Sequence, residues 1–154
     1  MGLRCIKILI FGLPGSGKTT LARQLANRIS KWAEVDLHNA DEIRADAKDW
    51  DFSHAGRVRQ MHRMRSLCAS SEENGRYAIA DFVAPTDSLR EMFDADYTVW
   101  MNTIKNSRYE DTNSVWESPS EREPIDLEVT NFSCIDLDAV LIDAQIHKMS
   151  KMSK

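Results

Sequence analysis

The chain has 154 residues, 42% hydrophobic and 29% charged, which suits one ordinary globular domain spanning 1–154 with a core of its own and excludes disordered and fibrous classes. Its formal net charge of -4 argues against broad attraction to nucleic acid or anionic membrane, so any anion site has to be local. Cys5, Cys68 and Cys134 form neither a disulfide framework nor a zinc knuckle and read as buried small hydrophobes in a reducing compartment. No stretch approaches membrane-spanning length and the N-terminal apolar run is too short for a signal segment. The cytoplasm is therefore the expected location, with the chain folding alone or as a simple oligomer such as a homodimer.

Cys5 to Phe11 is almost continuously apolar and rich in isoleucine, the pattern of a strand covered on both faces in a parallel sheet. Glycines interrupt it, and Leu21, Leu25, Ile29 and Trp32 then recur at helical spacing from Lys18 to about Trp32. Further strands are predicted at 34–38, 77–83 and 97–101, with helices at 41–48, 54–74 and 87–93. The segment 102–123 is polar and aperiodic and reads as a long mobile loop, the kind that often serves as a lid. A short strand near 127–130 precedes a last helix from about Asp136 to Met149, on which Leu137, Val140, Leu141 and Ala144 share a face. The Lys-Met-Ser tail is expected to fray. Strand and helix alternate, which predicts an α/β fold of three layers around a mostly parallel sheet of about five strands.

Between the first strand and the first helix lies Gly12-Leu13-Pro14-Gly15-Ser16-Gly17-Lys18-Thr19-Thr20. Phosphates need many inward-facing N–H donors with no side chains in the way, and glycines in a strand–loop–helix context provide that cradle. Lys18 is placed to reach the outer phosphates and Thr19 to ligate Mg²⁺, while the helix presents its positive dipole end. The loop therefore predicts a nucleotide-binding fold of the P-loop NTPase kind, with ATP and Mg²⁺ as cofactors. It does not choose between hydrolysis, transfer and sensing.

In parallel sheets ligands gather beyond the carboxyl ends of the strands. After the second strand comes Asn39-Ala40-Asp41-Glu42-Ile43-Arg44, in which Asp41 is either a base or metal partner or the cap of its helix, with Arg44 either in the same site or solvated. In the helix from His54, Val58, Met61, Met64 and Cys68 mark an apolar face onto which Arg57 also points. A buried guanidinium needs an anion, so Arg57 is a candidate for a substrate phosphate or sulfate unless its head snorkels to water. Arg59, Arg63 and Arg65 are read as solvated. Asp81, near the end of the third strand, is a reserve Mg²⁺ organiser. His38, His54, His62 and His147 lack metal-ligand spacing, and Trp32, Trp50, Trp100 and Trp116 are read as packing.

With these segments in order, the chain resembles the adenylylsulfate kinases. Asn39 to Arg44 is similar to that family's Asp-Gly-Asp-Asn-Val-Arg, Phe52-Ser53 with Arg57 and Gln60 to its Gly-Phe-Ser and Arg-x-x-Asn, Phe82-Val83-Ala84-Pro85 to its Phe-Ile-Ser-Pro, and Trp116-Glu117-Ser118-Pro119 to its Tyr-Glu-x-Pro. The resemblance implies transfer of the ATP γ-phosphoryl group to the 3′-hydroxyl of adenylylsulfate. Lys18 and Asp41 would be catalytic, Thr19 and Asp41 would hold the metal, and Arg44, Phe52, Arg57, Gln60, Phe82 and Tyr109 would bind a small nucleotide substrate. Asn39, Asp51 and Thr86 depart from the family pattern, and the lid is shorter and less basic, with Lys105 and Arg108 ahead of Tyr109. Other hydroxyl acceptors therefore stay open: a nucleoside, a sugar or modified DNA. So does a nucleotide-binding module without transfer.

Overall fold

The computed structural model describes residues 4–152, so Ser153 and Lys154 of the tail lie outside the described residues. Five parallel strands form one sheet in the order β2-β3-β1-β4-β5. They are β1 (Lys7–Phe11), β2 (Val35–Asn39), β3 (Tyr77–Asp81), β4 (Tyr97–Met101) and β5 (Leu127–Val129), connected through α1 (Lys18–Ile29), α2 (Ala40–Ala47), α3 (His54–Glu73), α4 (Asp87–Phe93), α5 (Glu110–Val115) and α6 (Ile135–Ser150). Predicted and observed boundaries agree to within one residue except that the first strand starts at Lys7 rather than Cys5, the first helix ends at Ile29 rather than about Trp32, and the third strand ends at Asp81 rather than Val83. There the chain leaves the sheet and turns toward the ligand edge.

The alternation along β1 explains the layers. Ile8 and Ile10 point to one side, where Leu21, Leu25 and Ile29 of α1 and Ala139, Ile142 and Ile146 of α6 complete a core. Leu9 and Phe11 point to the other, against Met61, Met64 and Cys68 of α3 and Leu89 and Phe93 of α4. A strand covered on both faces must be apolar at every position, as β1 is. Among the described residues no helix is long and apolar enough to cross a membrane.

Three expectations change. The aperiodic stretch 102–123 contains α5, because a six-residue helix has too few turns to register as a period. Glu110 and Asp111 in its first turn suit the helix dipole, and Ser107 and Asn113 lock its entry through Ser107 N–H to Asn113 Oδ1 at 2.8 Å and Asn113 Nδ2 to Ser107 O at 2.9 Å. In α6 the other stripe is buried: Leu137 is 72% exposed, and Val140, Leu141 and Ala144 also face outward, while Ile135, Ala139, Ile142 and Ile146 pack on the sheet side. That helix carries two apolar stripes of equal spacing, and contact with α1 decides between them. Of the cysteines, Cys68 is buried, which pushes its thiol up to about 12, whereas Cys5 and Cys134 are half-buried.

The face assignment of α6 is measurable. Ile142→Ala should cost about 2–5 kcal/mol, the range for truncating a core isoleucine, whereas Leu141→Ala should stay within about 0.5 kcal/mol, as exposed sites do. Urea denaturation of both variants checks this, and a larger loss for Leu141→Ala than for Ile142→Ala would mean that the helix packs by its other face.

Candidate active site

The phosphate loop runs from the end of β1 into α1. Gly17 sits at φ +98, and a Cβ there would come within 2.6 Å of the Phe132 ring, so conformation and space both require glycine. Pro14, Gly15, Gly17, Lys18, Thr19 and Thr20 line the cleft above the strand ends, with Gly12, Leu13 and Ser16 behind them as framework. Lys18 Nζ donates to Leu13 O at 3.0 Å. Burial pushes its pKa down from the ordinary lysine value, opposed by the carboxylates of Asp81 and Asp41. The Ser16 hydroxyl is buried without a hydrogen-bond partner among the described residues.

Three strand and helix ends meet at the next residue. Thr19 Oγ1 donates to Asp81 Oδ2 at 2.8 Å, and Asn39 Nδ2 donates to the same oxygen at 2.9 Å and to Thr19 Oγ1 at 3.3 Å. Asp81 is 2% exposed, and burial pushes its carboxyl above the usual carboxylate range against the contacts from Thr19, Lys18 and Asn39. Asn39 is also the cap of α2, its Oδ1 accepting from Glu42 N–H at 3.1 Å. An aspartate at 39 could cap the helix but could not donate to Asp81, and would set two carboxylates side by side. The cap alternative for Asp41 thereby falls away: it lies exposed in the first turn of α2 and lines the cleft. A hydroxyl and a carboxylate oxygen in contact fit Mg²⁺, which takes hard oxygen ligands and keeps its remaining positions for phosphate and water. Among the described residues, the carboxylate bonded to Thr19 belongs to Asp81.

On the α3 side of the cleft Arg57 is 8% exposed and does not snorkel. Its Nε donates to Phe52 O at 2.9 Å and its Nη2 to Thr112 Oγ1 at 3.2 Å, with the Asp111 carboxylate at 3.9 Å. Burial lowers its pKa, opposed by Asp111. Arg44 is buried rather than solvated, and it lies outside the residues lining the cleft. Its Nη1 donates to Asp49 O and Asp51 O at 2.9 and 3.2 Å, with its guanidinium 4.4 Å over the Phe52 ring. Gln60 also stands behind the wall, donating to Ala40 O at 3.0 Å. Both residues brace the loop between α2 and α3.

That loop is tied from outside as well. Asp49 accepts from Arg59 at 3.1 Å and from Arg63, which also donates to Gln60 at 2.7 Å, and Asp51 accepts from Arg59 at 2.8 Å. Arg59 and Arg63 are thus fastenings, where the sequence suggested a solvated face. The secured loop presents Phe52, 43% exposed, and Trp50, 54% exposed, to the cleft, with ring centroids 6.5 Å apart. Trp50 is the aromatic that sequence reasoning assigned to packing. Its one signal was its position two residues before Phe52 in an otherwise polar loop. Phe82 and Tyr109 line the same cleft, with Arg108 5.2 Å over the Tyr109 ring. The phosphate loop and this aromatic wall share one cavity of about 1070 Å³, at the upper end for small-molecule sites.

A family profile described as adenylylsulphate kinase matches residues 4–106. The adenylyl-sulfate kinase of Bacteroides thetaiotaomicron is 30% identical over 94 residues, covering 60% of this chain and 47% of that protein. The chain spans about half the length of the relatives it matches in this way. Among solved structures, the Mycobacterium tuberculosis APS kinase CysC in complex with AMPPNP and APS superposes with a TM-score of 0.75 at 16% identity over 95% of this chain and 99% of that one. A sugar kinase from Janibacter superposes at 0.67 and 12% identity over 97% and 99%. At such identities the structural likeness speaks for the fold alone.

The fastened loop has a pH signature. Arginine contacts hold Asp49 well below the usual carboxylate range, and Ser53 and Arg59 hold Asp51 at about 2. Groups with lowered pKa stabilise above their unfolded value, about 3.9, and lose that contribution as pH falls through the folded value. The loop should therefore stay ordered at pH 5 and loosen toward pH 2, with Arg59→Ala moving the change to higher pH. Trp50 emission, isolated as the difference between the wild type and Trp50→Phe, reads it out. A midpoint unmoved by Arg59→Ala would count against the fastening.

Proposed function

The chain belongs to the adenylylsulphate kinase family, and on that premise we propose that it is an ATP-dependent kinase acting on a hydroxyl, most naturally the 3′-hydroxyl of adenylylsulfate. One observation carries the reading: a single cleft joins the phosphate loop to an exposed carboxylate, Asp41, and to a buried guanidinium, Arg57, framed by exposed rings.

The backbone of Gly12 to Thr19, with Lys18, holds the ATP phosphates. Thr19 and Asp81 would hold Mg²⁺, which neutralises charge on the β- and γ-phosphates when bound. In this assignment Asp81 takes the main metal role and Asp41 is freed to be the base. The acceptor oxygen attacks the γ-phosphorus, its proton passes to Asp41, and the bond to the β,γ-bridging oxygen breaks to leave ADP. Arg57 pairs with the acceptor's anionic group, Phe52 and Tyr109 flank its base, and Phe82 forms the floor. Trp50 widens this wall. Arg44 and Gln60 act through the loop they support. Because phosphoryl transfer is mostly positioning and electrostatics, the same parts would serve another hydroxyl. The acidic first turn of α5, beside Arg57, favours such a second reading with a less anionic acceptor, a nucleoside or a sugar.

The deciding experiment incubates the protein with γ-labelled ATP, Mg²⁺ and adenylylsulfate, nucleosides, sugars or DNA. Label on adenylylsulfate is expected; label only on another acceptor would replace the leading reading, and label on none would reject the kinase assignment. Lys18→Ala should remain folded and lose on the order of 10²-fold or more in kcat, as when other pre-organised charges are removed. Asp81→Asn should weaken Mn²⁺ binding to the nucleotide complex, read by electron paramagnetic resonance independently of turnover, and unchanged Mn²⁺ affinity would return the metal role to Asp41.

Arg57→Ala should weaken acceptor binding by about 1.5–3 kcal/mol, the scale of a hydrogen bond to a charged group, with ATP affinity unchanged. Arg57→Lys should recover only part of the loss, lacking the planar fork. Arg65→Ala, an exposed residue on the same helix, is the control. Equal acceptor KM in Arg57→Ala and Arg65→Ala would remove Arg57 from the site.

A further inference from the structure

Arg57 carries a full charge in a position with almost no solvent, and such a group requires a counter-ion. Among the described residues the carboxylate that serves it is Asp111, whose Oδ2 lies 3.9 Å from Arg57 Nη2. The two are unequal partners: the arginine side chain is 8% exposed and the aspartate 65%. Arg57 is fixed by Phe52 O and Thr112 Oγ1. Asp111 stands in the first turn of the short helix α5, on the solvent side of the pair, and itself lines the cleft. It sits where a ligand anion approaching Arg57 from the cleft would have to go.

We propose that Asp111 is a specificity-determining residue: it is the resident counter-ion of Arg57, so an anionic acceptor has to displace its carboxylate, whereas an uncharged acceptor has not. The inference rests on the reading above only in taking the acceptor to lie beside Arg57. It follows from charge balance. The cleft is lined by the cations Lys18, Arg57 and Arg108 and by the anions Asp41, Asp81 and Asp111. Removing Asp111 tips that balance next to Arg57, the buried guanidinium that lines the cleft. The change should favour anions and leave neutral ligands alone. Because Asp111 is mostly exposed, its effect is of the size of a solvent-screened ion pair, about three- to fivefold in affinity.

The test is equilibrium binding at low ionic strength, with adenylylsulfate and adenosine 5′-monophosphate as anionic probes and adenosine as the neutral probe sharing their ring. Asp111→Asn should tighten at least one anionic probe about three- to fivefold and leave adenosine unchanged. Glu110→Gln, which removes the neighbouring charge from the same helix turn, should change neither. In an Arg57→Gln background Asp111→Asn should have no effect, as a double-mutant cycle requires of a coupled pair. No gain with either anion, an equal gain with adenosine, or a gain that persists without Arg57 would each overturn the inference. Product analysis on the wild type keeps the two readings apart. Adenylylsulfate that is bound but never phosphorylated rejects the proposed reaction and leaves the Asp111 result standing, while phosphorylation with no response to Asp111→Asn does the reverse.

Discussion

A buried carboxylate organises this molecule. Asp81 ends β3, Asn39 ends β2 and Thr19 lies in the first turn of α1, and the three meet on one oxygen. Burying that charge is unfavourable, and its raised pKa records the fact. The arrangement persists because two neutral donors converge on it and Lys18 lies nearby. An amide at position 39 is what permits this. It donates to Asp81 while its oxygen caps α2, so one side chain aligns the Thr19–Asp81 pair with the helix that carries Asp41.

Three buried arginines show how one residue type serves different ends. Arg90 is wholly structural: it lies 4.7 Å over the Phe11 ring and bonds Glu123, Asp87 and the carbonyls of Ala84 and Glu117, fastening the segment after α5 to α4. Arg44 spends its donors on loop carbonyls and its face on Phe52. Arg57 shares this manner of anchoring but lines the cleft, where its anionic partner Asp111 is mostly exposed. Burial alone therefore does not mark a functional arginine. What distinguishes Arg57 from the other two is its place in the lining of the cleft.

The aromatic wall of the cleft combines rigidity with exposure. Trp50 and Phe52 leave much of their surface in water, which free energy disfavours unless a partner covers it. They are held in that state by Arg44 from within and by Arg59 and Arg63 from without. Gly56 belongs to the same device, since a Cβ there would stand 2.0 Å from Asp51 O and push the loop off the helix. Pre-ordering such a platform lowers the entropy lost when a ring stacks on it.

The amino-acid sequence by itself determined what depends on neighbours along the chain. The apolar run of β1, the glycine loop and the start of α1 were legible because strand pattern, turn chemistry and helix period are local, and the phosphate site is built within one such unit. Arg57's inward aim was legible for the same reason, since helical spacing links it to Met61 and Met64. The tertiary structure decided everything that required choosing between equivalent local options. Which stripe of α6 packs depended on α1; whether Asp41 caps its helix depended on Asn39 having a second bond to make; whether Arg44 and Gln60 face the ligand or brace a loop depended on where the carbonyls of residues 40, 49 and 51 end up. The pairing of Arg57 with Asp111 joins residues far apart in the chain through a helix too short to have a period. Contacts of that kind arise from the closure of the fold, and no spacing in the sequence encodes them.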